Sequence, residues 1–113
     1  MVDLRSVTDE HLSTARSSAH GRSAHLLVHD GHLRQTLIAL RAGEGLSEHN
    51  PPQAGSVHVL VGRVRITAGD RESEVGAGQL VELVHERHSV TAVEDSVFLL
   101  TTVTGLPDGD PTV

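Results

Sequence analysis

Arg63-Val64-Arg65-Ile66-Thr67-Ala68-Gly69-Asp70-Arg71-Glu72-Ser73-Glu74-Val75 is the stretch on which the fold turns. From Arg63 to Thr67, polar and apolar side chains alternate. A strand sends successive side chains to opposite faces, so Val64 and Ile66 fall on one face and the polar residues on the other, as in a half-buried strand. Gly69-Asp70 supplies a turn, and Glu72–Val75 reads as the next strand.

The same texture extends both ways. Short Val/Leu/Ile/Thr segments recur about every eight to twelve residues after Gly21. They are Ala24–Val28, Leu33–Arg41, Ser56–Val61, Arg63–Ala68, Glu72–Val75, Leu80–Leu83, Ser89–Val93 and Val97–Thr104. Between them stand Asp30-Gly31, Gly43-Glu44-Gly45, Gly69-Asp70, Gly76-Ala77-Gly78 and Glu94-Asp95. Short strands at this spacing predict an all-β, double-sheet jelly-roll barrel over residues 22–104 with an aliphatic cavity between its sheets. Ahead of it, residues 1–21 form a helical segment. Leu4, Val7, Leu12, Ala15 and Ala19 recur at helical spacing over 4–18, and Thr8-Asp9-Glu10 suits a helix start. Residues 105–113, with little apolar content, are expected to be a flexible tail.

Composition narrows the chemistry. The 113 residues include nine histidines but no cysteine, tryptophan or tyrosine, and Phe98 is the single aromatic. Lysine is absent too, so all nine cationic side chains are arginine. Thiol nucleophiles, disulfides and cysteine-ligated metals are therefore excluded, as are Schiff-base and P-loop lysines. A net charge of −6 and the want of stacking aromatics argue against nucleic acid. No apolar run approaches a membrane span and no signal-peptide pattern opens the chain, so a cytoplasmic location is expected.

Two histidines stand out by position. His49 follows the Gly43-Glu44-Gly45 turn by four residues, and His88 follows Gly78 by ten. Here the chain resembles the cupin superfamily, in particular its small single-domain members. Gly43 and Gly62 match the ends of the first cupin motif and His49 its first histidine. Gly78, Gln79, the strand Leu80–Leu83 and His88 follow the outline of the second. The resemblance spans residues 22–104 and implies a double-stranded β-helix with His49 and His88 as metal ligands. It implies one divalent transition metal among iron, manganese, zinc, nickel and copper.

Two positions depart from the pattern. Pro51 stands where the second histidine of the first motif belongs, and Gly55 where its glutamate belongs. His85 is the nearest candidate for a third ligand, with Glu82 another and Glu48 a possible orienting partner. If position 55 faces inward, Val57 and Val59 face inward with it, and His58 faces out. Gly55, Val57 and Val59 are thus the expected pocket residues. The other five histidines, His11, His20, His25, His29 and His32, are expected to be solvated or satisfied by neighbours.

Three functions compete. The first is a small-molecule-binding barrel with a degenerate metal site. The second is a metal-dependent isomerase or dioxygenase acting on a small apolar or carboxylic substrate, with Arg34 or Arg41 as carboxylate partner. The third is an interaction protein working through a homodimer surface.

Overall fold

The computed structural model describes residues 1–106. A helix, α1 (Leu4–Ser17), precedes nine strands: β1 (Arg22–Asp30), β2 (Leu33–Leu40), β3 (Gly45–His49), β4 (Ala54–Val61), β5 (Arg63–Ala68), β6 (Arg71–Gly76), β7 (Leu80–Glu82), β8 (His88–Ala92) and β9 (Ser96–Val103). They form a five-stranded sheet of order β1-β2-β9-β4-β7 and a four-stranded sheet of order β3-β8-β5-β6. Every pairing is antiparallel. The expected jelly roll is present.

Strand parity builds the core between the sheets. Val57 and Val59 from β4, Val64 and Ile66 from β5, and Val90 and Ala92 from β8 pack with Ile38, Leu40, Leu83 and Phe98. Phe98 is the largest fully buried side chain, the one ring in an otherwise aliphatic hydrophobic cluster. A second cluster lies outside the five-stranded sheet, where Leu12 and Ala15 of α1 pack on Leu37, Ala39 and Val97. This explains why Leu37–Leu40 is buried at four successive positions: one face meets the barrel core and the other the helix.

The helix begins differently from the expectation. Asp3 caps it by accepting a 3.0 Å hydrogen bond from the Arg5 N–H, while Thr8, expected near the start, lies buried within it. β3 has no counterpart among the expected strands. The β4–β5 corner depends on Gly62, whose φ is +81° and where a Cβ would meet the Asp95 carbonyl oxygen at 2.3 Å. Of the expected tail, residues 107–113 lie outside the described residues. Leu106 is held by Gln53, whose side-chain amide donates to the Leu106 carbonyl at 2.8 Å and accepts from its N–H at 2.7 Å. No helix among the described residues is long and apolar enough to cross a membrane.

Candidate functional site

β3 and β8 place His49 directly opposite His88, after a register irregularity between Leu46 and His49. Burial alternates along β8, sending His88, Val90 and Ala92 inward. His88 is only 1% exposed, whereas His49 is exposed at the rim. Their ring centres are 4.5 Å apart with planes inclined by 69°, an edge-to-face contact.

Each imidazole is oriented by its own turn. His49 Nδ1 lies 2.9 Å from the Ser47 carbonyl oxygen, and His88 Nδ1 lies 3.0 Å from that of Glu86. A carbonyl oxygen only accepts, so Nδ1 carries a hydrogen in both rings, and in the neutral form each Nε2 presents a lone pair. Burial, and after it the neighbouring His49, holds the His88 pKa below the ordinary histidine value. The inner ring is therefore kept neutral, a hydrogen-bond acceptor at Nε2.

A cleft of about 90 Å³, which neither histidine lines, is bordered by Ile66, Ala68, Val81 and Leu83, with Arg71 and Ser73 among the polar residues along it. Its link to the pair runs through the sheet: Ala68 follows Thr67, which pairs with Ser89, the chain neighbour of His88. Arg71 is ion-paired with Glu86. Sequence reading did not single out Arg71 or Ser73. Their signal was parity, since both alternate onto the face of Val75, which is buried.

The remaining named residues divide plainly. Val57 and Val59 are buried in the inter-sheet core. His58 pairs across to Leu80 and Leu99 and occupies the other face of β4. His85 is exposed, and no three His, Cys, Asp or Glu residues among the described ones gather into a group that could hold a metal ion. Glu48 pairs with Arg87 at 3.3 Å, and Glu82 borders the cleft. Arg34 donates to the Thr104 hydroxyl. Arg41 donates to the carbonyls of Arg16 and Ser18, binding the end of α1 rather than a pocket.

Gly55 has the most consequential surroundings. A Cβ there would lie 3.0 Å from Leu83 Cδ1 and 3.2 Å from Pro52 Cγ. Nearest of all is the Thr101 carbonyl oxygen at 2.9 Å, so backbone and hydrocarbon together fill the space into which a side chain at 55 would start. An open metal site keeps three protein ligands and a solvent position. His49 and His88 supply two imidazoles, and the residues present do not fit that set.

Solved structures share this architecture. A conserved Streptococcus pyogenes protein of unknown function superposes with a TM-score of 0.70 at 25% identity, over 80% of each chain. A cupin superfamily protein from Desulfitobacterium hafniense gives 0.69 at 18% identity, over 74% of this chain and 78% of that one. This is a cupin fold. A cupin-2 domain protein from Shewanella frigidimarina matches over 91% of this chain and 94% of its own length, with a TM-score of 0.68 at 12% identity. No family model matches the sequence, and no curated protein matches it.

Proposed function

We propose that this cupin is a small-molecule-binding barrel whose mouth keeps two histidines of a metal site that it no longer completes. The packing at Gly55 carries the reading, because the Thr101 carbonyl oxygen, Leu83 and Pro52 crowd the place from which a carboxylate ligand would have to project. The ligand is a small apolar or carboxylic compound. Two Nε2 lone pairs suit a hydroxyl or a carboxylic acid proton, and the cleft along Ile66 and Ala68 is small and mostly aliphatic. A barrel with neither tryptophan nor tyrosine has little to stack on a sugar or purine. The same economy of surface favours a homodimer, which light scattering at micromolar concentration would contradict by returning a monomer mass.

The tautomers of His49 and His88 favour one second reading. Both rings present Nε2 in the form a metal requires, so an isomerase- or dioxygenase-type enzyme would need its substrate to contribute the third donor.

Histidine ring NMR separates ligand binding from its absence. Titrating butyrate, a short aliphatic carboxylate, into metal-free protein at mildly acidic pH, where a proton taken up with the ligand lets a mouth Nε2–H donate to the carboxylate, should shift the His49 and His88 ring signals and leave those of His20 and His29 in place. His49→Ala should weaken the effect roughly tenfold, the loss of one hydrogen bond to a charged group. If all the histidine signals respond alike, or none responds at millimolar butyrate, the carboxylic-ligand reading fails.

A further inference from the structure

An arginine on the inward face of a strand breaks the pattern that builds this barrel, and Arg71 holds such a position. β5 and β6 pair Val64 with Val75, Ile66 with Ser73 and Ala68 with Arg71, and residues paired across a ladder share a face. The three β5 members are buried, so that face looks inward. On β6 only Val75 of the three is buried, while Ser73 and Arg71 stay exposed, because the cleft opens over them. Glu72 and Glu74 take the opposite face, where Arg65 pairs with both. A charge admitted to a core-facing row is a place to expect function.

The cleft has apolar walls and a cation along its border. Ile66 and Ala68 line it from the four-stranded sheet, Val81 and Leu83 from the other side. Leu83 is also the side chain packed against Gly55, so the vacant glutamate position and the cleft share a wall. The cleft volume of about 90 Å³ is smaller than the ~150 Å³ apolar cavity that accepts a benzene ring. That suits a short alkyl chain.

Arg71 meets Glu86 through Nη2, and the two side chains are 68% and 44% exposed. An ion pair this open to water is weak, so another carboxylate can take the place of Glu86. A guanidinium matches a carboxylate through two parallel N–H bonds. Glu86 has a second link, since its carbonyl oxygen accepts from His88 Nδ1. One residue thus joins the cleft cation to the inner imidazole.

We propose that Arg71 is the carboxylate anchor of the cleft, and that Glu86 is an internal latch which a short aliphatic carboxylate displaces. The proposal rests on the reading of this barrel as a binder of small carboxylic compounds. It adds the cation that holds an ionised ligand when the mouth histidines are neutral. The alkyl chain lies along Ile66, Ala68 and Leu83, and the head group pairs with the guanidinium. Once released, Glu86 loosens the hydrogen bond that orients His88.

The test follows the methyl NMR signals of Ile66 and Leu83 in the full chain as sodium butyrate is added at about pH 8, where histidine is neutral. The site predicts that these methyls shift with butyrate and move far less with butan-1-ol at the same concentration. Arg71→Gln should weaken butyrate binding roughly tenfold or more. Glu86→Gln removes the competing carboxylate and should tighten binding roughly two- to sixfold. Arg65→Gln deletes an equal charge from the outer face of β5 and should change binding by roughly twofold at most. Thermal melts of the variants, all at exposed or half-buried side chains, should stay close to that of the native chain. Binding unchanged by Arg71→Gln, or no methyl shift at millimolar butyrate even in Glu86→Gln, would overturn the proposal. The histidine ring signals at mildly acidic pH test the mouth separately, so either reading can fail without the other.

Discussion

Ser96 is fully buried, and its hydroxyl accepts from the Arg63 N–H at 2.9 Å and donates to the Glu94 carbonyl at 2.7 Å. Ser96→Ala strands both backbone groups, so urea unfolding should show a loss of about 1–3 kcal/mol. Nothing in the sequence marked this serine, because a hydroxyl that ties a turn looks the same in one dimension as a solvated one. His88 was legible, since its spacing from Gly78 follows the second cupin motif. Its energetics were not, because burial and the neighbour that lower its pKa depend on the register of β3 against β8. The lowered value fixes a sign. The unfolded chain takes up the proton near the ordinary value of ~6.5, before the folded chain does. His88 therefore contributes stability that is full above that value and declines as pH falls through the lowered one. Urea midpoints measured from neutral pH downward should fall less steeply in His88→Gln than in the native chain.

At the scale of elements, Asp95 joins the helix to the barrel. Its carboxylate accepts from Arg16 Nε and from the Ala42 N–H, each at 2.8 Å. The Arg16 hydrogen bond, followed by that of Ala42, holds its pKa below the usual carboxylate value. Its contribution is present above that range and is lost as pH falls through the lowered value. With both partners near solvent, Asp95→Asn should cost no more than about 1 kcal/mol by chemical denaturation. Leu12→Ala, which strips the apolar anchor of the same helix, should cost about 2 kcal/mol or more in the same measurement. Eight strands and the helix were readable from periodicity, as the alternation of Arg63–Ala68 against Val64 and Ile66 illustrates. β3 was not. Gly-Leu-Ser-Glu-His carries one aliphatic side chain and lies at the end of its sheet, so no alternation betrays it. Its pairing with β8 nevertheless brings His49 to His88.

The whole molecule shows how much of the site composition could foretell. Without cysteine, lysine, tyrosine or tryptophan, imidazole was the obvious reactive group, and glycine spacing reduced nine histidines to the pair at the mouth. Pro51 and Gly55 announced that half of a ligand set was missing. They did not announce that Leu83 and Pro52 pack against the vacant position, since that contact joins β4 to the segment after β7. The central claim is that this mouth binds a small molecule without a completed metal centre. Elemental analysis of untagged protein, purified without metal affinity and compared with its His49→Ala/His88→Ala variant, tests it most directly. The account predicts the same metal content in both proteins, with no component that depends on the mouth histidines. Near-stoichiometric iron, manganese, zinc, nickel or copper that disappears in the double variant would contradict it.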